Sequence, residues 1–383
     1  MSDSDSSPVT FEKLRADNGA GIAIARLNVP RTHHSLSLEM IDLLSASLSQ
    51  WAIDPAIALV ILEASGEKAF CAGADLHHLH KTMVAHHASE QRDDICANTY
   101  AFDFFSREYR LDYLIHTYPK PVLCWGHGIV MGGGVGLMSG ASHRVVTESS
   151  RVAMPEITIG LFPDVGGTWL LNRAPGCSGL FLALTGAQLN AEDALFAGLA
   201  DYKINQAQKS QVLVKLMELP WSSMARDNSR LLGNTLRSFA ATNLAHGPLR
   251  ENLDLINSLC GHVDLAEIVS AITSVSKDNA WLAKAAATLA AGSPGSAALS
   301  AELQRRLLHC SLAETFRAEL VAALTCTARP DLTEGIRALL IDKDRQPRWN
   351  PATLTEMTSN WLNGFFESPW AKKEHPLADL GCP

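Results

Sequence analysis

Pro119-Lys-Pro-Val-Leu-Cys-Trp-Gly-His-Gly-Ile-Val-Met-Gly-Gly-Gly-Val-Gly-Leu137 carries the reading of the fold. Val122–Gly126 is an apolar run of strand length, entered just after a proline of the kind found at strand starts rather than inside central strands. The glycines at 132, 133, 134 and 136 then mark a tight turn that opens a helix. The wider stretch from Val122 to Ala141 is the most apolar in the chain, yet it holds His127 and seven glycines. A membrane helix needs about 20 apolar residues in regular helical conformation. This stretch is a poor candidate for that and a good one for a buried strand–loop–helix junction.

Similar units lie on either side. Gly21–Leu27 alternates as a strand does and ends at the turn Asn28-Val-Pro30. Leu38, Ile41, Leu44, Leu48 and Trp51 recur at helical spacing, with Ser37 placed to cap the helix. Ala58 to Glu63 is nearly all apolar, as in a strand covered on both faces. It leads through Ser65–Gly66 to Phe70-Cys-Ala-Gly-Ala-Asp75. Another strand near His143 to Thr147 precedes Met154-Pro-Glu156. Strands separated by helices predict βαβ units in a layered α/β domain.

The pattern changes to helices from about Val212 to Asp342. Leu253, Ile256 and Leu259 recur at helical spacing, as do Ile268 with Ile272 and Leu303 with Leu307. The Ala-rich segment from Trp281 to Ala291 is broken at Gly292-Ser-Pro-Gly295, a helix stop and restart. The expected organisation is a disordered polar tail over 1–10, an α/β core over 11–210 and a helical C-terminal region over 211–383.

Composition narrows the function classes. The chain has 383 residues, 47% apolar and 19% charged, which is the balance of a globular protein. Its net charge of −8 supplies no electrostatic footprint for nucleic acid or an anionic membrane. The eight cysteines are scattered without a C-x-x-C pair, so neither a zinc ribbon nor a dithiol motif is readable. The start of the chain is polar and acidic, with no apolar signal core. The expectation is a cytoplasmic protein.

Two glycine-containing turns could present backbone N–H groups to negative charge developing on a carbonyl oxygen: Ala72-Gly-Ala-Asp75 and Gly132-Gly-Gly134. Either could equally be a plain strand-to-helix turn. Downstream, Glu156 and Asp164 stand in the apolar, Gly/Pro-punctuated segment Met154-Pro-Glu-Ile-Thr-Ile-Gly-Leu-Phe-Pro-Asp-Val-Gly-Gly167. Carboxylates there are costly unless paired or used, and apolar walls raise their pKa toward a catalytic range. Helix capping by Glu156 and an Asx-turn at Asp164 are the structural alternatives.

Together these segments are far more specific than any one of them. KAFCAGAD, PKPVLCWGHGIVMGGGVGL, AMPEITIGLFPDVGG and EGIRALLIDKDRQPRW resemble the enoyl-CoA hydratase/isomerase (crotonase) superfamily from about Gly21 to Trp349. FPDVGG, LALTG at Leu182 to Gly186 and LIDKD before Pro-x-Trp resemble its 3-hydroxyisobutyryl-CoA hydrolase branch. The resemblance implies a crotonase (ClpP/crotonase-like) fold of repeated ββα units, with a helical C-terminal region covering the site. It implies an acyl-CoA substrate, no cofactor beyond the coenzyme A of that substrate, and thioester hydrolysis. Ala74 and Gly133 match the oxyanion-hole positions, Glu156 the motif glutamate and Asp164 the hydrolase aspartate. Glu108, in Phe-Phe-Ser-Arg-Glu-Tyr109, matches an acid that contacts substrate. Arg31 matches, loosely, a basic residue near coenzyme A.

Hydratases of the superfamily carry a second glutamate where this chain has Gly136, which favours hydrolysis over water addition to a double bond. An isomerase of unsaturated acyl-CoA and a non-catalytic acyl-CoA-binding protein are the competing readings. Relatives often form trimers or hexamers, so a homo-oligomer is a further expectation. Lys343 and Arg345 could help enclose coenzyme A or could be a solvated charged face. His77, His78, His80, His86 and His87 lack the H-E-x-x-H pattern or a Cys partner, so a solvated helix face is expected rather than a metal site.

Overall fold

The computed structural model describes residues 7–382. Of the expected polar tail, residues 1–6 lie outside the described residues, and Val9 and Thr10 open β1 (Val9–Arg15). The other strands are β2 (Gly21–Leu27), β3 (Ile57–Ala64), β4 (Ala69–Cys71), β5 (Val122–Gly126), β6 (Ile129–Met131), β7 (His143–Val146), β8 (Arg151–Ala153) and β9 (Tyr202–Lys203). They form a six-stranded sheet in the order β1-β2-β3-β5-β7-β9 and a three-stranded sheet in the order β4-β6-β8. Only β1 runs antiparallel in the large sheet; β2, β3, β5, β7 and β9 pair parallel.

The repeat is visible in this order. β3 and β4 are followed by a helix, α2 (Leu76–His87), as β5 and β6 are by α4 (Gly133–Ser139), and β7 and β8 lead into the short 3-10 turn Glu156–Ile159. The first strand of each pair enters the large sheet and the second the small one. Each of these small-sheet strands is followed directly by one of the segments singled out in the sequence. The chain divides into two compact units. Among the described residues, one holds 7–74 with Leu111–Val152 and Leu189–Arg250, and the other holds Asp75–Arg110, Ala153–Gln188 and 251–382.

In the first unit, α1 (Leu38–Ile53) starts where Ser37 Oγ accepts from the Met40 N–H at 3.2 Å, the cap expected there. β3 is buried along its whole length. β2 is nearly so, although its sequence alternates, because both faces of a parallel sheet are covered. Ile22, Ile24, Leu59, Ile61, Leu123, Trp125 and Val145 make one core with Val212, Leu216, Leu232 and Leu236 of the helices Lys209–Met217 and Ala225–Phe239. Burying such side chains contributes about 1.5–3 kcal/mol each.

In the second unit, the expected helix break falls between Ala280–Ala291 and Pro294–Leu307. Ser293 Oγ caps the latter by accepting from Ser296 N–H, and Pro294 takes the first turn. Helix Leu312–Ala328 opens with a capping box of Ser311 and Glu314. Helix Pro330–Ile336 then meets the turn Glu156–Ile159 backbone to backbone. A Cβ on Gly335 would stand 2.4 Å from the Ile159 backbone, and one on Gly160 would stand 2.5 Å from the Asp331 carbonyl. Glycine at both positions allows this contact, which fixes the turn bearing Glu156.

Candidate active site

The first unit holds both backbone turns. Gly73 has φ +100°, a conformation that favours glycine, and a Cβ there would lie 3.2 Å from the Met131 carbonyl oxygen and 3.7 Å from the Gly133 nitrogen. A Cβ on Gly134 would stand 2.3 Å from the Cys71 carbonyl oxygen. The two loops therefore abut, and only small residues permit it. The first loop is pinned by Leu36 N–H donating to Gly73 O at 2.7 Å and Ala72 N–H to His33 O at 3.0 Å. Gly133 begins α4 (Gly133–Ser139), so its N–H has no acceptor in the preceding turn. Among the described residues, neither the Ala74 nor the Gly133 N–H donates to a loop carbonyl. Arg31 sits exposed on the turn Pro30–Thr32, at the start of the segment that reaches Leu36.

The second unit gathers the carboxylates. Glu108 lies on α3 (Thr99–His116), Glu156 opens its 3-10 turn, and Asp164 sits in the turn before the helix Gly167–Leu171. All three are buried. Tyr109 Oη donates to Asp164 Oδ2 at 2.8 Å. Glu319, on the helix Leu312–Ala328, accepts from the Gly166 N–H at 2.7 Å and the Thr168 N–H at 3.0 Å. The Gly166 N–H is thus taken by Glu319, and the Asx-turn alternative for Asp164 does not form. Nor does the Glu156 side chain cap a helix: its Oε2, like Oε1 of Glu108, has no hydrogen-bond partner among the described residues. Two buried acceptor atoms left open in an acidic cluster suit a hydroxyl or water supplied by a ligand.

Burial dominates the electrostatics. It pushes Glu156 and Glu108 well above the usual carboxylate range, and the neighbouring Asp164 charge adds to both shifts. Asp164 is pushed up to about 7, opposed by the Tyr109 hydrogen bond. Glu319 is raised by burial to about 8, opposed by its bond from Gly166. No Lys or Arg contributes to any of these four shifts. Four such acids cannot all be charged near neutrality, so the cluster holds protons that chemistry can move.

The positively charged candidates are peripheral. Lys343 and Arg345 are exposed, in left-handed conformation (φ +58° and +56°), beside Arg337, which bonds Glu334, Asp342 and Asp344. The histidine tract departs from the expected solvated face. His77 and His78 are exposed on α2 (Leu76–His87), but His86 is buried against the Gln91 carbonyl, and His87 bonds the Thr327 carbonyl. Packing of α2 against helix Leu312–Ala328 draws that end inward. No group of three or more His, Cys, Asp or Glu side chains is placed to hold a metal, and no helix is long and apolar enough to cross a membrane, among the described residues.

Sequence reasoning missed Tyr109 and Glu319. Tyr109 adjoins Glu108 in the sequence, and nothing in that adjacency points to Asp164. Glu319 carried a signal: it stands directly before the apolar run Leu320-Val-Ala-Ala-Leu-Thr-Cys326, where an unpaired charge is unexpected.

Comparison with known proteins gives a family. The family model for enoyl-CoA hydratase/isomerase matches residues 22–366. The chain is 36% identical over 370 residues to the mitochondrial 3-hydroxyisobutyryl-CoA hydrolase of Danio rerio, covering 96% of this chain and 91% of that one. It is 35% identical over 355 residues to the mitochondrial 3-hydroxyisobutyryl-CoA hydrolase of Gallus gallus, covering 92% and 88%. Among solved structures, an enoyl-CoA hydratase from Rhodobacter sphaeroides 2.4.1 superposes with a TM-score of 0.81 at 33% identity, covering 95% of this chain and 98% of that one. The α/β crotonase fold with its helical C-terminal region is therefore the architecture of this molecule. The chain belongs to the enoyl-CoA hydratase/isomerase family.

Proposed function

We propose that the protein hydrolyses an acyl-CoA thioester, with 3-hydroxyisobutyryl-CoA as substrate and 3-hydroxyisobutyrate and coenzyme A as products. The observation that carries this reading is the state of Glu156: a buried acid with raised proton affinity and an unpartnered oxygen, next to Asp164 and Glu108. The names of the relatives at 35–36% identity support the same substrate.

In this reading the thioester oxygen accepts from the N–H groups of Ala74 and Gly133. Fixed backbone donors favour the negative charge that builds there, and losing one such donor costs about 10²–10³ in rate. The ionised Glu156 either attacks the carbonyl carbon, giving an anhydride that water then opens, or removes a proton from the attacking water. The C–S bond breaks, and the departing sulfur takes a proton to leave as the coenzyme A thiol. Asp164 and Glu108 receive the 3-hydroxyl of the acyl group. Arg31 lies on the coenzyme A side. No cofactor enters.

Gly136 argues against water addition across a double bond, because that chemistry in the family uses a second acid at this position. An isomerase of unsaturated acyl-CoA is the competing reading, and a non-catalytic acyl-CoA-binding protein a third. Free thiol release on adding 3-hydroxyisobutyryl-CoA separates them, since neither alternative releases any. A cytoplasmic setting and a homo-oligomer are part of the same proposal; the relatives named above are mitochondrial, so cell fractionation and sedimentation are the direct checks.

A further inference from the structure

We propose that Glu319 is a positioning residue for this site: by holding the N–H groups of Gly166 and Thr168 in its carboxylate, it fixes the left-handed turn that presents Asp164. The inference rests on the reading in which Asp164 receives the substrate's 3-hydroxyl.

Val165 has φ +54° and Gly166 φ +80°, so two consecutive residues after Asp164 are left-handed. For the β-branched Val165 this is unfavourable, costing about 1–3 kcal/mol, and such a turn persists only where its surroundings over-determine it. Within the turn, Gly167 N–H donates to Asp164 O at 2.6 Å. From outside, Glu319 Oε2 takes the Gly166 N–H at 2.7 Å and Oε1 takes the Thr168 N–H at 3.0 Å. Phe316, one turn earlier on the same helix, stands behind Gly166, where a Cβ would meet its ring at 3.1 Å. Phe316 also lies 5.6 Å, ring to ring, from Tyr109, whose hydroxyl holds Asp164 Oδ2. Asp164 is therefore fixed at its side chain by Tyr109 and at its backbone by Glu319.

A purely structural cap for the short helix Gly167–Leu171 would explain the two N–H bonds but not why a buried acid does this work. Glu319 faces Asp164 and Glu156 without a cation, at an electrostatic cost, where a neutral group could have capped. Of the ordinary side chains of this reach, only a carboxylate accepts from two N–H groups at once through two oxygens. Glu319→Gln keeps the length but turns one acceptor into a donor, opposing one of the two N–H groups.

The test compares thiol release from 3-hydroxyisobutyryl-CoA and from isobutyryl-CoA by the full-length wild type, E319Q and E319D. E319Q should lower kcat/KM for the hydroxylated substrate at least tenfold while changing that for isobutyryl-CoA less than threefold. E319D, whose carboxylate falls short of both N–H groups, should do no better. An E319Q protein whose preference for the hydroxylated substrate is unchanged, whatever its melting temperature, overturns the inference. Wild type without hydroxyl preference would instead sink the proposed function and leave the contact to a second measurement. That measurement is hydrogen exchange at Gly166 and Thr168 in wild type and E319Q. Slow exchange in wild type that speeds up in the variant supports the clamp, and unprotected exchange in wild type overturns it; this arm needs no substrate and covers a poorly folding variant.

Discussion

Tyr109 Oη donates to Asp164 Oδ2 at 2.8 Å, with both side chains fully buried and no cation beside them. A phenol is a donor that cannot carry positive charge, so it favours the carboxylate without neutralising it. Tyr109→Phe removes the bond and keeps the ring. A hydrogen bond to a charged group contributes about 1.5–3 kcal/mol. The expected outcome is a 10- to 100-fold lower kcat/KM for 3-hydroxyisobutyryl-CoA, with Asp164 taking up its proton at higher pH. Steady-state kinetics of Y109F across pH read both effects.

The acid cluster sets a pH dependence. Glu156 is held well above the usual carboxylate range and Asp164 near 7, so the fraction of ionised cluster rises as pH increases through neutrality. Hydrolysis needs ionised Glu156, so kcat/KM should climb as pH rises above the usual carboxylate range, after subtraction of the uncatalysed reaction. A rate that stays flat over this rise, or that falls, speaks against the assignment.

The same groups act on stability with the opposite sense. A carboxyl whose folded pKa is raised binds its proton more tightly folded than unfolded, so the native state loses relative stability as pH rises above the unfolded value near 4.5. The buried His34 and the half-buried His116, whose pKa values are lowered by desolvation, act in the reverse direction over part of this range, so the whole-protein curve mixes both. The difference between two proteins isolates one group. Glu108→Gln should melt above wild type by a margin that grows from pH 5 to pH 8, at about 2–4 °C per kcal/mol for chains of 150–250 residues and less for a longer one. Calorimetric melting at several pH values measures it. A margin that shrinks with pH contradicts the raised Glu108.

The two backbone turns can be tested through their closest approach. A methyl group on Gly134 would overlap the Cys71 carbonyl oxygen at 2.3 Å, with the Cys71 Cβ at 2.9 Å and its carbonyl carbon at 3.0 Å, so no flexible chain end is there to yield. Gly134→Ala should push the loops apart, lower the melting temperature by several degrees and reduce kcat more than tenfold.

Much of this was legible in the sequence where burial was complete or where small residues clustered. β5 is an uninterrupted apolar run and β3 is broken only by Glu63, and the break at Gly292-Ser-Pro-Gly295 reads directly as a helix stop and restart. β1 was not legible: as the antiparallel edge strand it is mostly exposed, and Val-Thr-Phe-Glu-Lys-Leu-Arg looks like a polar segment. Nor were β4, β6 and β8, at three residues each too short for any periodicity to show. Spacing could say that the later chain is helical but not that Leu232 and Leu236 join the sheet core, since periodicity gives a face and not its partner. Glu156 and Asp164 stood out because they interrupt apolar sequence. Glu319 and Tyr109 belong to the cluster through contacts 153 and 55 residues distant in sequence, which no local pattern encodes.

The most direct measurement is thiol release by Glu156→Gln from 3-hydroxyisobutyryl-CoA, set beside its affinity for coenzyme A. Gln preserves the shape of the side chain in its buried turn and removes only the ability to attack or to take a proton. Release should fall nearly to background while coenzyme A binding stays within a few-fold of wild type. A variant that still turns over most of its substrate would show that the acid at 156 is a bystander.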